Sequence, residues 1–287
     1  MTSPRQNEIR DYWSVQPPFK AMEGSKPLSR EWYSSISRHR YEVVPYMHQW
    51  VKFPDYRGKR LLEIGCGAGT DLAEFARYGA RVVGVDITET AVNLTRGRLQ
   101  VEGLPGEATT YDGVRLPFED GGFDVVYSWG VLHHAPRFDD LFAEIARVLT
   151  PGGQFVFMLY SRASLLYHYS ILLRAHQRGE LASSTREQLL SRYSEFREGC
   201  PFTRAFTVEE IRERLWFFDR VQAEYEYCVY DKDENRKIPV SGPLQVETTG
   251  IVDLDLFFRD FNEKASTGQN LRPFGWHLIG RAFTRAS

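Results

Sequence analysis

Three glycines stand two residues apart in one short stretch of the chain. The stretch is Glu63-Ile64-Gly65-Cys66-Gly67-Ala68-Gly69, directly after a run of apolar residues. Because glycine has no side chain, such a turn lets a ligand approach the backbone closely. Its G-x-G-x-G spacing differs from the G-x-G-x-x-G of dinucleotide-binding folds. The stretch predicts a ligand-binding turn or a plain tight turn, and it makes an NAD-dependent oxidoreductase the weakest interpretation.

Acidic residues follow the next two segments of strand-like sequence. Asp86 comes 21 residues after Gly65 and ends a β-branched run, where a carboxylate can accept both hydroxyls of a ribose. Asp112 follows the next segment and precedes Gly113. It is either an acceptor for an adenine amino group or an ordinary turn residue. The two acids favour a ligand-binding turn over an empty one.

The elements that must position these residues alternate between strand and helix. Helices are predicted at residues 70–78, 88–101, 139–149 and 207–218, the third stopped by Pro151-Gly152-Gly153. Strands are predicted at 60–64, 81–86, 108–111, 123–128, 154–160, 221–230 and 275–283. Strands separated by helices of this length favour a parallel sheet covered on both faces. In such a sheet the carboxyl ends of the strands meet at one edge, where ligands bind.

Four ordered segments resemble one enzyme family. They are LLEIGCGAGTDLAEFA (61–76), VVGVDIT (82–88), YDGVRLPFEDGGFDVVYSWGVLHH (111–134) and EIARVLTPGGQFVF (144–157). In sequence and in order they are similar to class I S-adenosylmethionine-dependent methyltransferases of the small-molecule, type 11 kind. One departure is Gly113, where the family often has alanine or another small residue.

This resemblance implies a Rossmann-like α/β fold: a mostly parallel seven-stranded sheet with an antiparallel last strand, helices on both faces and an N-terminal helical cap. It implies S-adenosylmethionine as the cofactor and S-adenosylhomocysteine as the product; the residues themselves lead us to expect no metal. The glycine turn would cradle the methionine part, while Asp86 holds the ribose and Asp112 reads the adenine. The expected cofactor-binding residues are Glu63, Gly65, Cys66, Gly67, Gly69, Asp86, Ile87, Asp112, Gly113, Ser128 and Trp129.

Two adjacent histidines, His133 and His134, follow the fourth predicted strand and are the candidate catalytic residues. Histidine has the right pKa for a general base at neutral pH, and we expect His133 to lie nearer the cofactor. The resemblance implies that the same pair occurs in relatives with different acceptors, so a structural role stands beside the catalytic one. No acidic cluster follows this strand to hold magnesium.

Cys66 lacks the partners of a catalytic nucleophile and is interpreted as a small residue in a crowded turn.

The remaining segments are expected to recognise the acceptor. The N-terminal 56 residues mix aromatic rings with cations, which can wall a pocket or hold an acidic group; the alternative is a helical arm packed on the sheet, and both can hold. Residues 161–178 predict a helix with one apolar face, as a lid, a dimer contact, a membrane-surface helix or, most commonly, a core-packed helix. The face comprises Leu165, Leu166, Tyr169, Leu172 and Leu173. The predicted acceptor-binding residues are Tyr12, Trp13, Arg38, Tyr41, Tyr160 and Arg204.

Length and composition limit the protein class. The 287 residues are 42% hydrophobic and 26% charged, as in ordinary globular proteins. The longest apolar runs fall far short of the roughly 18 residues that span a bilayer, no secretory signal is recognised, and three separated cysteines favour a reducing compartment. A cytoplasmic protein is expected, with peripheral contact as its only association with a membrane. The predicted organisation is a helical cap (1–56) and a methyltransferase domain (57–287) with insertions at about 161–206 and 231–273.

The charge distribution narrows the function. Residues 1–60 carry a net charge of +5 and residues 61–160 a net charge of −7, and an acidic middle argues against binding nucleic acid. The expected function is methyl transfer to O, N or C of a small molecule, secondary-metabolite-like or quinone-like, by a monomer or homodimer. The basic N-terminal stretch keeps a peptide, protein or RNA acceptor as an alternative. A repurposed cofactor-binding protein that transfers no methyl group is the other.

Overall fold

A seven-stranded sheet organises the computed structural model, which describes residues 4–15, 25–195, 199–226, 230–231, 236–237 and 243–286. Its strands are β1 (Arg60–Ile64), β2 (Arg81–Asp86), β3 (Glu107–Thr110), β4 (Phe123–Trp129), β5 (Leu149–Tyr160), β6 (Arg220–Glu226) and β7 (His277–Phe283). They are ordered β3-β2-β1-β4-β5-β7-β6. β1 pairs in parallel with β2 and β4, and β2 pairs in parallel with β3. The predicted fold, a mostly parallel seven-stranded sheet flanked by helices, is confirmed, and the last strands of the sheet are antiparallel.

Helices connect and flank the strands. They are α1 (Pro4–Val15), α2 (Arg30–Val43), α3 (Met47–Val51), α4 (Thr70–Arg77), α5 (Glu89–Glu102), α6 (Phe138–Val148), α7 (Arg174–Gln177), α8 (Arg186–Tyr193), α9 (Val208–Arg214) and α10 (Val252–Ser266). Helix α5 shows how local sequence sets such bounds: the Thr88 hydroxyl accepts from Ala91 N, and Gly103 ends the helix at φ +69°. None of the described helices is both long and apolar enough to cross a membrane.

Two predicted boundaries are wrong. Strand β5 begins at Leu149, directly after α6, instead of after Pro151-Gly152-Gly153. The reason is hydrogen bonding far along the chain: Gly152 N donates to Arg285 O and Thr284 N donates to Gly153 O, both at 3.0 Å. Helix α9 ends at Arg214 because residues 215–218 form a turn, in which Phe218 N donates to Leu215 O (2.9 Å). Of the predicted strand 221–230, residues 227–229 lie outside the described residues.

The chain divides into two compact units. The first comprises Met1–Phe157, Leu215–Gln222 and Arg281–Ser287, and the second comprises Met158–Arg214 and Ala223–Gly280. In the first unit the core centres on β1, whose side chains from Leu61 to Ile64 are all buried. The second unit has an apolar core of its own, to which residues 165–175, α8 and α10 contribute.

The apolar face predicted in residues 161–178 belongs to this second core. Residues Leu166–Leu173 form a π-helix that continues into α7. Leu165, Leu166, Leu172 and Leu173 are buried, and Tyr169 is partly buried. Of the four interpretations of this face, packing in a core is the one observed.

A partly buried histidine in the π-helix predicts acid sensitivity of the second unit. His168 stacks on Phe257 with ring centroids 3.7 Å apart, and its Nδ1 lies 2.9 Å from Ser164 O, so Nδ1 is the donor. Burial lowers the pKa of His168 to about 4. An unfolded chain takes up this proton near pH 6.5, whereas the folded protein takes it up only near pH 4. The contribution of His168 to the free energy of unfolding is therefore fully present above pH 6.5, and roughly 3 kcal/mol of it is lost as the pH falls from 6.5 to 4.

Chemical denaturation at pH 7 and at pH 4.5 checks this expectation. We expect His168→Phe, which keeps a ring against Phe257, to lose less stability on acidification than the unmodified protein. His176→Phe, in the adjoining α7, is the matched control and should keep the full dependence. Equal acid sensitivity of all three proteins would contradict the assignment.

Candidate functional site

The glycine turn follows β1 with all three of its glycines in the left-handed region. Gly65, Gly67 and Gly69 have φ values of +78°, +55° and +67°. Val85 O, at the end of β2, accepts from Gly65 N (2.7 Å) and Cys66 N (3.1 Å), which fixes the turn to the neighbouring strand. A β-carbon on Gly67 would meet no protein atom within 4 Å. The backbone at Gly67 therefore has the open space that an approaching ligand needs.

The turn is otherwise crowded. A β-carbon on Gly65 would lie 2.3 Å from Cγ2 of Val131, and one on Gly84 would lie 2.9 Å from the β-carbon of Cys66. Burial raises the pKa of the Cys66 thiol well above its ordinary value. The residue is a small group in a tight space and carries none of the thiolate character of a nucleophile.

Asp86 links the end of β2 to the glycine turn. Its Oδ1 accepts from Thr88 N and Thr88 Oγ1, both at 2.9 Å, and its Oδ2 accepts from Gly67 N at 3.3 Å. Burial raises the pKa of Asp86, while the Thr88 and Gly67 hydrogen bonds oppose the rise. A carboxyl acceptor thus lies beside the open face of Gly67.

Glu63, just before the turn, is a buried acid with an unsatisfied atom. Its Oε2 has no hydrogen-bond partner among the described residues. Burial and, next, the Asp71 carboxylate raise the pKa of Glu63 well above its ordinary value. A buried acceptor without a donor is costly, so this atom marks a place where a bound donor would be stabilising.

Asp71, in the first turn of α4, collects three donors. It accepts from Arg40 Nη2 (2.7 Å), Tyr127 Oη (2.9 Å) and Tyr41 Oη (3.3 Å). Tyr41, predicted to bind the acceptor, therefore has its hydroxyl on Asp71, and its acceptor role stays a prediction. The sequence does not reveal this network, because the partners of Asp71 lie at least 30 positions away from it.

A fully buried arginine, also missed from the sequence, fixes the other end of the turn. Arg98 of α5 donates through Nε to Ala68 O (2.6 Å) and through Nη2 to Tyr33 O (3.1 Å). Its Nη1 donates to Ser37 Oγ (2.8 Å). One side chain thus joins the glycine turn to α2.

The loop after β3 lies beside the end of β2, because Tyr111 N donates to Asp86 O at 3.1 Å. Asp112 is exposed, and its Oδ1 accepts from Val114 N (2.8 Å) and Arg115 N (2.7 Å). The carboxylate thus holds a turn, and its predicted contact with adenine stays a prediction. Gly113 follows at φ +87°, and Ile87 is half-buried beside it.

Strand β4 ends in the other predicted site residues. Ser128 is buried, and its Oγ donates to Ile64 O (3.1 Å). The buried Trp129 ring lies parallel to that of Tyr127. His133 and His134 form a buried 3₁₀ turn with ring centroids 4.3 Å apart. Their burial keeps both imidazoles from bulk water, while their catalytic role, and the expectation that His133 is nearer the cofactor, stay predictions.

The N-terminal helices bring aromatic rings to this end of the sheet. The Trp13 ring lies 5.0 Å from that of His134, and Tyr12 contacts Trp13 edge-on at 4.9 Å. Trp50 and Tyr46 lie 5.8 and 6.2 Å from Trp129. Arg38, by contrast, is exposed on α2.

The second unit holds the last two predicted acceptor-binding residues. The Tyr160 ring stacks on Trp276 at 4.2 Å, and its hydroxyl donates to Glu195 Oε1 (2.9 Å). Glu195 is buried and also accepts from Ser194 Oγ (3.2 Å). Nothing in the sequence pointed to Glu195. Arg204 is half-buried, and the acceptor roles of Tyr160 and Arg204 stay predictions.

Comparison with known proteins gives consistent matches. Residues 62–157 match the family described as "Methyltransferase domain" (Methyltransf_11). Fatty-acid O-methyltransferase of Mycolicibacterium smegmatis is 36% identical over 47% of this chain and 49% of its own length. The 24-methylenesterol C-methyltransferase 2 of Oryza sativa subsp. japonica is 40% identical over 34% of this chain and 28% of its own length. The chain thus spans about half of the first relative and about a quarter of the second.

The fold has counterparts among solved structures. A SAM-dependent methyltransferase from Archaeoglobus fulgidus superposes with a TM-score of 0.56 over 85% of this chain and 94% of that protein, at 16% identity. At that identity the likeness concerns the fold.

Proposed function

We propose, for a chain that carries a class I S-adenosylmethionine-dependent methyltransferase domain, that it transfers a methyl group to O, N or C of a small molecule. The observation that supports this most directly is the set of groups at the glycine turn: the open backbone at Gly67, the Asp86 carboxylate beside it, and the unsatisfied Oε2 of Glu63 just before the turn. A ligand with a ribose and an ammonium group offers donors to both carboxylates. The residues therefore fit S-adenosylmethionine.

Each part of the site has its own task in binding. Gly67 leaves room for the ligand beside the backbone, and Gly65 and Gly69 let the chain turn tightly at positive φ. Asp86 accepts from the ribose hydroxyls, and Glu63 accepts from the amino acid end. Arg98 and the Asp71 network hold the turn in place. When bound, the cofactor supplies an electrophilic sulfonium methyl group.

The protein's remaining contribution is to orient the acceptor and exclude water. Trp13, Tyr46, Trp50 and Trp129 provide apolar ring faces at the end of β4, which suit an apolar or aromatic acceptor. His133 and His134 lie at the same place and are the candidates for receiving the acceptor's proton. The names of the two relatives, a fatty-acid and a sterol methyltransferase, support an acceptor of lipid-like character.

Two measurements test the proposal. Isothermal titration with S-adenosylhomocysteine should show binding to the purified chain, and its absence would overturn the proposal. Isotope-labelled S-adenosylmethionine is then incubated with long-chain fatty acids, sterols, phenols and quinols, and the label should appear in one of these classes. A protein that consumes an acceptor while transferring no label would instead be a repurposed one. Transfer of the label to RNA or to a peptide, with a yield that falls steeply as the salt concentration rises, would favour the macromolecular alternative.

A further inference from the structure

The first helix presents three buried or half-buried residues on one face. Gln6, Ile9 and Trp13 are spaced by three and four positions, so they point the same way. Trp13 lies at the histidine turn after β4, and Gln6 lies at the loop after β3. A rise of 1.5 Å per residue separates the two by about 10 Å along the helix axis. Since β2 and β1 lie between β3 and β4, α1 runs across the strand ends that carry Asp86 and the glycine turn.

Gln6 and Gly113 fit each other closely. A β-carbon on Gly113 would lie 1.8 Å from Nε2 of Gln6, 2.8 Å from its Cδ and 3.3 Å from Cγ2 of Ile87. Gln6 is only 4% exposed although it is polar. Any residue larger than glycine at position 113 would push the Gln6 amide out of this place. The absence of a side chain at Gly113, the departure noted in the sequence, thus makes room for the amide.

We propose that Gln6 is a cofactor-contacting residue whose amide, held against Gly113, hydrogen-bonds to the nucleoside part of the cofactor. This inference rests on the proposed function, in which the ribose lies at Asp86. Ile87 follows Asp86 directly and lies beside Gly113, as the Gln6 amide does, so the amide is placed next to the expected nucleoside. An amide offers one acceptor and two donors, which suits the mixed donors and acceptors of a purine edge. Cofactor binding and the docking of α1 therefore favour each other.

Isothermal titration of the full chain with S-adenosylhomocysteine tests this pairing. We expect Gln6→Ala and Gly113→Ala each to weaken binding about tenfold, the loss of one good hydrogen bond. The double variant should bind no more weakly than either single variant, because alanine at 113 has no amide left to displace. Gly121→Ala is the matched control: Gly121 also has a positive φ (+65°) and has nearly open space around it. This variant therefore also places alanine in the left-handed region, and it should bind as the unmodified protein does.

A second ligand locates the contact. Methylthioadenosine shares the nucleoside of the cofactor but lacks its amino acid, so Gln6→Ala should weaken its binding by the same factor. If the unmodified protein binds S-adenosylhomocysteine and both single variants bind equally well, the inference is overturned and the proposed function stands. Additive losses in the double variant, or an unchanged affinity for methylthioadenosine in Gln6→Ala, also overturn it. If the unmodified protein binds neither ligand, the proposed function fails. If Gly113→Ala does not fold, titration of Gln6→Ala with the two ligands is sufficient to decide.

Discussion

Asp86→Asn is expected to weaken S-adenosylhomocysteine binding by roughly tenfold to a hundredfold, on the proposed function. The carboxylate offers acceptors to both ribose hydroxyls, whereas the amide has one acceptor oxygen and turns an NH₂ group toward the other hydroxyl. Losing one hydrogen bond to a charged group costs about 1.5–3 kcal/mol, which corresponds to that range of affinity. Isothermal titration measures it directly.

The same substitution should change the stability of the unliganded protein by less than about 1 kcal/mol, since two effects oppose each other. Burial raises the pKa of Asp86, so the folded state favours the protonated acid and the ionised form costs stability at neutral pH. The neutral amide removes that cost, while it gives up the hydrogen bond from Gly67 N. We therefore expect the Asp86 carboxylate to serve ligand binding and to contribute little to folding.

Asp124→Asn is the control for this prediction. Asp124 is the second residue of β4, at the end opposite the candidate site, where it accepts from Arg60 N (2.9 Å) and Arg60 Nη2 (3.0 Å). We expect this variant to bind S-adenosylhomocysteine like the unmodified protein. An Asp86→Asn variant with undiminished affinity would show that Asp86 does not hold the ribose.

Arg98→Met is expected to destabilise the first unit by about 3–5 kcal/mol, the usual cost of removing one partner from a buried charged network. The substitution leaves the carbonyl oxygens of Ala68 and Tyr33 without their donor and uncouples α2 from the glycine turn. Glu102, an ion-pair partner of Arg98 at 3.4 Å, loses a neighbouring cation as well. Calorimetry should show the unfolding temperature lowered by roughly 10 °C.

Arg96→Met on the same helix provides the comparison. Arg96 is about half-exposed; it donates to Ala108 O and pairs with Glu89 at 3.7 Å. Because water replaces such partners, we expect a loss below about 1 kcal/mol. Equal effects of the two substitutions would mean that the Arg98 network contributes little to stability.

Much of the fold is predictable because its signals are local. Strands β1 and β2 have the predicted bounds, since each is a short apolar run with clear turn residues after it. Elements whose conformation depends on distant partners are harder to predict from the sequence. Pro151-Gly152-Gly153 has the composition of a turn, yet it is extended because residues 284 and 285 pair with it. The π-helix at Leu166–Leu173 could not be told from an α-helix by its apolar face.

The candidate site likewise contains residues that local motifs predict and residues that only tertiary contacts reveal. The candidate cofactor residues share one stretch of motif, and the structure brings the glycine turn, Asp86 and Asp112 to one sheet edge, as predicted. Arg98 was missed because an arginine in a polar helical segment indicates a solvated face, and only tertiary contacts over 30 and 65 positions bury it. Gln6 was missed for a related reason, since its place is defined by an absent side chain on another loop.

The contact between Gly65 and Val131 implies that two distant motifs evolve together. The isopropyl group of Val131 fills the volume that a side chain on Gly65 would need. Which residues are tolerated at either position therefore depends on the residue at the other. In homologous chains, alanine at the first position should accompany glycine or alanine at the second. The turn expected to hold the methionine end and the loop that carries the histidines are thereby inherited as a matched pair.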